Sequence, residues 1–497
     1  MAIRTWRASG MALGSLAAAL LGLLLSCSRQ PEFPAHDEFW ENDYPAYADE
    51  QRLLDDTLRI DIAAIDAILT YRPQDAVVDG RAQVRFRMRP GQTRPRIHFE
   101  PACRGTVISE WRLDGAAREA PGAAYRVVDV PGSTQPMLEF VDEVDPAVEH
   151  ELIVGYRLPL PAGYPRFTSQ VHDLKGSGNE EWFPTLNMPH ELARHRLTLR
   201  VANAAPYRCL GSGKVERTGQ TAFQEWVLDP EREVASYTVM FVLLPESDTL
   251  LREGVIAGIP VRLAAFAGGA AIEPAWAELE SWLPQLVAEI GPFPMPRGLS
   301  VFLTGAGGGM EYFGGTISSP SALSHEVFHM YFACSVVART YRDSWLDEAI
   351  TSWYDRTYPD YLVPIAGDFR SNMVSGRSPV AVGFDVRAYY QGTQIIETMA
   401  QRLGGRGAMT AFLADLHRRH AFAPFATMDL AGYFRQYSGI DLSREFRDWF
   451  YSGQADAAAA LPAPCGFESP PDLTPPREVL RRYGLERPRD GRAGGER

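Results

Sequence analysis

The apolar positions of this chain change period along its length. From about residue 47 to 251 they fall in short alternating runs separated by turn residues, the pattern of half-buried strands. Ile60 to Tyr71, Ala82 to Met88, Ala193 to Val201 and Ser236 to Leu244 read as strands of an antiparallel β domain. Gly254 to Ala265 reads as a strand, Glu273 to Ile290 as an amphipathic helix, and Leu299 to Thr304 as a strand running into the glycine loop Gly305 to Gly309. A helical period then takes over. Ser319-Pro320 looks like a cap followed by proline at the first helical position, and Ala322 to Val337, free of Gly and Pro, reads as a buried helix. Arg339 to Asp343 makes a polar turn, and Asp343 is placed to cap a second helix, Ser344 to Tyr354. Trp345, Ala349 and Trp353 repeat four apart as the packed stripe of that helix. After about Pro364 the chain is helical again, with Gln394 to Arg402 and Met409 to His417 periodic.

These elements describe an α+β multidomain chain. A β domain occupies residues 47–251, an α/β core 252–364 and a helical part 365–455, with an Ala-, Pro- and Arg-rich tail over 456–497. At 497 residues the length accommodates two to four domains. The net charge of −13 argues against a nucleic-acid partner. Lys175 and Lys214 are the only lysines, so the basic residues are almost all Arg, a bias of coding rather than of a binding face.

The N-terminus carries a targeting pattern. Arg4 and Arg7 precede an uncharged run from Met11 to Leu25, a length suited to a signal peptide and short for a spanning helix. It ends in Leu24-Leu25-Ser26-Cys27, which resembles a bacterial lipobox; the resemblance implies a lipid on Cys27, membrane attachment and residues 28–46 as a tether. Ordinary secretion and an uncleaved anchor are the alternatives. The expected place is the periplasm, on the outer membrane if the cell is Gram-negative. Of the remaining cysteines, Cys103, Cys209, Cys334 and Cys465, Cys334 lies five residues past His329, about 140° round a helix, and is expected to face away from that site.

The chemistry is concentrated in His325-Glu326-Val327-Phe328-His329, followed after eighteen residues by Glu348. Residues four apart share one helix face, so both imidazoles can meet one metal ion. Two imidazoles and a carboxylate make a three-ligand zinc site that keeps a position for water. Glu326 can reach that water without ligating the metal and act as general base. His417 and His420, i and i+3, could also hold a metal but read as a solvated helix face.

With Trp345-Leu346-Asp347-Glu348-Ala349, this motif resembles the aminopeptidase N family of zinc peptidases, which includes leukotriene hydrolase. Gly308-Gly309-Met310-Glu311-Tyr312 is similar to the family's G-x-M-E-N segment, with Tyr312 in place of Asn, and Tyr389-Tyr390-Gln391-Gly392 to its Y-E-K-G segment. The resemblance implies one Zn2+ per chain on His325, His329 and Glu348, and peptide substrates held at Gly308, Gly309, Met310 and Glu311. It places Glu311 on the substrate amine and Tyr389, or alternatively Tyr390, on the oxyanion. It also implies a saddle-like N-terminal β domain, a thermolysin-like catalytic domain and a short helical region. An acidic residue outside the metal's own ligands is expected at Asp343. Trp182 to Pro189 resembles a segment joining the β domain to the cleft, where Gln170, Glu180 and Glu181 are candidates for a second substrate-amine contact but read better as exposed loop residues.

The expected activity is therefore a zinc aminopeptidase. A thermolysin-like endopeptidase is the alternative within enzymes. A lipid-anchored peptide-binding or assembly factor that does not turn over is the alternative outside them, motivated by Tyr312 and Tyr390. Oligomeric state and preferred N-terminal residue are not legible.

Overall fold

The structure is a computed structural model that describes residues 47–103, 106–119, 122–160, 167–168, 182–202, 205–218, 223–305, 308–383 and 385–452. Cys27, Gln170, Glu180, Glu181, Cys465 and the leader lie outside these residues. Among the described residues no helix is long and apolar enough to cross a membrane.

The chain enters through helix α1 (Tyr47–Leu58) and then builds a nine-stranded sheet. Its strands are β1 (Ile60–Arg72), β2 (Val77–Met88), β3 (Val107–Leu113), β4 (Ala116–Ala117), β5 (Glu149–Pro159), β6 (Leu192–Val201), β8 (Lys214–Arg217), β9 (Gln224–Asp229) and β10 (Glu233–Ala235), with β7 (Tyr207–Gly211) in a separate sheet. Their order is β8-β9-β6-β1-β2-β5-β3-β4, and β10 also pairs with β6. The alternation in β2 and β6 buries every second residue, as their sequence pattern requires. The sheet is not wholly antiparallel: β1 and β6 pair in parallel, Ala64 opposite Arg194. Strands joined by a long excursion rather than a tight turn are free to run the same way. Ser236 to Leu244, expected as one strand, begins as a 3-10 turn (Ser236–Thr238) and becomes strand only over β11 (Phe241–Pro245).

A second, five-stranded sheet carries the site. It comprises β12 (Thr249–Ile256), β13 (Ile259–Phe266), β14 (Leu299–Leu303), β15 (Gly309–Tyr312) and β16 (Gly315–Ser318), in the order β12-β13-β14-β16-β15. The stretch Gly254 to Ala265 is thus a hairpin rather than one strand. Ala257 and Gly258 turn it with φ of 51° and 80°, the pair of positive values that a two-residue hairpin turn demands. Helix α2 (Ile272–Glu289) makes the crossover between parallel strands β13 and β14. Strand β15 is the sheet edge and leads through β16 into the metal-binding segment.

That segment departs from the expected long helix. A 3-10 turn, Pro320–Ala322, opens helix α3 (Leu323–Phe328), which stops at His329. The Ser319 hydroxyl meets that of Ser321 rather than a helix N–H, so it does not cap. Val336–Ala338, rich in β-branched residues, pairs instead with Ala423–Phe425 as a short parallel sheet. Helix α4 (Trp345–Asp355) follows, with Trp345, Ala349 and Trp353 all buried as expected. Helices α5 (Thr393–Leu403), α6 (Arg406–His420), α7 (Thr427–Ser438) and α8 (Ser443–Phe450) complete the described residues. His417 and His420 are buried, not solvated; His417 Nε2 lies 3.1 Å from the Ser335 hydroxyl. One continuous apolar core runs through both sheets and the helices.

Candidate active site

Helix α3 presents His325 and His329 one turn apart, their rings 4.7 Å from centroid to centroid. Helix α4 brings Glu348 against both: its Oε2 is 3.2 Å from His325 Nε2 and 3.4 Å from His329 Nε2. Bonds of about 2.05 Å in a tetrahedron set donor atoms about 3.3 Å apart. The three side chains therefore fit one zinc ion. All three are buried, and their donor atoms lie within 4.8 Å of one another.

Each imidazole is oriented from behind. His325 Nδ1 is 3.1 Å from Asp355 Oδ2, and Asp355 is itself held by the Thr357 amide and hydroxyl. His329 Nδ1 donates to the Phe332 carbonyl at 2.9 Å. Hydrogen bonds at Nδ1 leave Nε2 as the ligating atom. Asp355 was not singled out by sequence reasoning, although it lies seven residues beyond Glu348 and so on the same face of α4. Asp343 takes neither expected role. Ser344 precedes the helix, and Asp343 accepts from Thr340 and from the amide and hydroxyl of Thr427, tying α7 to the turn before α4.

Glu311 stands on edge strand β15 and forms a second potential donor group with Glu326 and His329, again within 4.8 Å. Strand alternation turns its neighbours the other way. Tyr312 is core, packed in a small cluster with Leu210, Met240 and Phe302, and Met310 packs against the same cluster. Gly308 turns into the strand at φ 86°. Gly309 lies so close to Glu326 that a Cβ there would stand 2.6 Å from its Cγ.

Tyr389 lies in a π-helical turn, Ala388–Gly392, and donates its hydroxyl to Glu348 Oε1 at 2.7 Å. Gly392 permits the approach, since a Cβ would meet the Ala349 Cβ at 2.6 Å. Tyr390 instead packs its ring 4.9 Å from that of Tyr361. Cys334 is buried as expected. The helix ends before it, so the helical projection does not apply, and the charges of Glu311, Asp347 and Glu326 add to burial in raising its thiol pKa.

Burial opposes the charged forms throughout, and close partners override it. At His325 the loss of solvent is outweighed by Asp355 and Glu348, which raise the imidazole well above its ordinary value. At His329 it is outweighed by Glu311 and Glu348, and the ring is pushed up to about 10. Burial would raise Glu348, yet hydrogen bonds from both imidazoles hold it below the usual carboxylate range. At Glu326 and Glu311 the imidazole charges work the same way but do not outweigh burial. Burial pushes Glu326 up to about 8 and raises Glu311.

The surrounding structure is anchored across the two sheets. Glu50 of α1 is buried against Arg339 and Arg342, in the turn preceding α4. The Trp182 to Pro189 segment reaches the same turn, where Asn187 Oδ1 accepts the Tyr341 hydroxyl at 2.8 Å.

No family model matches the chain, and no curated protein matches it. Solved structures do. The M1 zinc metallopeptidase of Deinococcus radiodurans superposes with a TM-score of 0.59 and 16% identity, over 82% of this chain and 97% of the other. A mutant of that organism's enzyme bound to a Tyr-Ser-Ala substrate matches with the same score and identity over 79% and 95%. A two-domain M1 zinc metallopeptidase mutant bound to L-tryptophan matches with a TM-score of 0.59 and 16% identity over 78% and 94%. The chain thus has the mixed α+β fold of the M1 zinc metallopeptidases, and it carries a His-His-Glu triad able to hold a metal.

Proposed function

We propose that this chain is a zinc-dependent aminopeptidase of the aminopeptidase N and leukotriene hydrolase family, with a saddle-like N-terminal domain and a thermolysin-like catalytic domain. The observation that carries the reading is the charge inventory around one point. Three carboxylates, Glu311, Glu326 and Glu348, converge on two imidazoles. Without a metal the two imidazoles take up protons against these carboxylates; a zinc dication with one substrate ammonium would supply that positive charge in their place.

His325, His329 and Glu348 would hold the zinc. When bound, it supplies Lewis acidity toward a water and toward the scissile carbonyl. The chain's own residues do the rest. Glu326 takes the proton of the attacking water and passes it to the leaving amine. Glu311 pairs with the α-ammonium of the peptide and sets cleavage one residue from the amino end. The Tyr389 hydroxyl, now on Glu348, is within reach of a developing oxyanion. The open edge of β15 can receive the substrate backbone as an added strand.

The same reading places the protein outside the cytoplasm, tethered through a lipid on Cys27; it rests on the leader sequence alone. The endopeptidase and the non-catalytic binding factor are the readings to be separated from it. Tyr312, one of the two departures that motivate the binding factor, serves the core rather than the cleft.

Purified protein should release N-terminal residues from short peptides and from aminoacyl fluorogenic amides, and a chelator should stop it. Glu326→Gln should lower kcat by at least about a hundredfold with zinc content unchanged. An N-acetylated peptide should resist cleavage. Its cleavage would establish an endopeptidase, and zinc binding with no turnover across the panel would establish a binding factor.

A further inference from the structure

The tyrosines around Tyr389 are more numerous than the chemistry requires. Tyr358 packs on Tyr389 with ring centroids 5.8 Å apart at 64°. The same ring meets Tyr390 at 5.1 Å and 63°, and Tyr390 meets Tyr361 at 4.9 Å and 48°. Tyr389, Tyr358, Tyr390 and Tyr361 thus form a continuous aromatic wall that begins at the Glu348 carboxylate. All four are only half-buried. Trp345, Trp353 and Tyr354 of neighbouring α4 are each at most 1% exposed and fill the core. The four tyrosines therefore keep part of their surface outside the core, in a chain of ring contacts that starts at the site through Tyr389.

The position of the wall relative to the metal-binding atoms gives it a direction. Glu311 groups with Glu326 and His329. Tyr389 lies on the other flank, bonded to Glu348 and with its ring 6.1 Å from that of His325. A peptide whose ammonium rests on Glu311 and whose first carbonyl lies at the triad continues toward the His325 flank. The part of the substrate that meets the wall is then the residue on the leaving side of the scissile bond. The wall is also firmly placed, because Tyr358 directly follows Asp355 and Thr357, which orient His325.

We propose that Tyr358, Tyr361 and Tyr390, continuing from Tyr389, form a binding surface for an aromatic side chain at the second residue of the peptide. The inference rests on the aminopeptidase reading and names a substrate class within it: short peptides whose penultimate N-terminal residue is Phe, Tyr or Trp. Tilted ring pairs at these spacings favour an aromatic guest over an aliphatic one of similar area by roughly three- to tenfold.

The test compares kcat/KM for Ala-Phe-Ala and Ala-Leu-Ala in the parent protein, in Tyr361→Leu and in Tyr390→Leu. Release of alanine is followed in each. The ratio within one protein divides out any loss of folded enzyme. Tyr361→Leu, at the outer end of the wall, provides the reading if Tyr390→Leu does not fold. The parent should favour the phenylalanine peptide about three- to tenfold, and the ratio should fall toward one in the variants. A parent ratio near one, or a ratio unmoved by the substitutions, would overturn the inference alone. Failure to hydrolyse either peptide would overturn the aminopeptidase reading and the inference with it.

Discussion

Removing Asp355 should weaken zinc binding without altering the chemistry. Its carboxylate is buried and its partners are few: His325 Nδ1 at 3.1 Å, the Thr357 amide at 2.8 Å and the Thr357 hydroxyl. In Asp355→Ala the imidazole keeps only the Thr357 hydroxyl, 3.4 Å from Nδ1, a poor acceptor at that distance. Neither ring orientation nor tautomer is then enforced. Loss of such a partner costs about 10- to 100-fold in metal affinity, or about 1.4–2.7 kcal/mol. Asp355→Asn keeps an acceptor oxygen and should lie at the mild end, with Asp355→Ala at the severe end. Competition with a chromogenic chelator gives the zinc Kd of each variant, and urea unfolding of the metal-free proteins checks their folding. Activity of Asp355→Ala should return as free zinc is raised, because kcat does not depend on this carboxylate. The argument fails if both variants bind zinc within about twofold of the parent, or if saturating zinc leaves kcat low.

Other consequences can be checked in parallel. Gly392→Ala should force the π-helical turn away from Ala349, costing about 1–3 kcal/mol in urea unfolding and lowering kcat as Tyr389 leaves Glu348. Gly407→Ala, in a helix with open space around the new methyl, should instead be neutral or stabilising by up to about 1 kcal/mol. Glu50→Gln should destabilise by about 3–5 kcal/mol, since Arg339 and Arg342 would remain buried without their carboxylate; a loss below about 1 kcal/mol would show that α1 is not an anchor. Burial depresses His98, His190 and His195 to about 4, so the unfolded chain binds more protons than the folded one. Their stabilisation is complete above about pH 6.5 and is lost as the pH falls toward 4, by roughly 2 kcal/mol each at pH 5. Thermal melts of the metal-free protein between pH 7 and 5 should show the Tm falling, and a flat profile would contradict this.

Much of the site was legible because its spacings are local. His325 and His329 share a helix turn, so any helix there would present them together. Glu348 required only that a second helix pack beside the first. The strands Ile60–Arg72 and Leu192–Val201 and the helices near residues 272, 393 and 406 followed from strong periods. Turns were less legible. Ala257-Gly258 lacks the usual hairpin residues in its first position, so two strands read as one.

Residue order alone specified the donor set, the carboxylate between the two imidazoles and the order of the supporting segments. These depend on residue type and short separations along one chain. Packing in three dimensions selected the groups that back the candidate ligands. Asp355 rather than Asp343 orients His325, because the next helix turns it inward while Asp343 is taken up by Thr427. The end of α3 at His329 removes the helical register on which the direction of Cys334 was projected. Tyr389 rather than Tyr390 touches Glu348, a choice made by a π-turn that Gly392 lets approach Ala349. Such contacts join residues tens of positions apart, and the packing that selects among them leaves no period in the sequence.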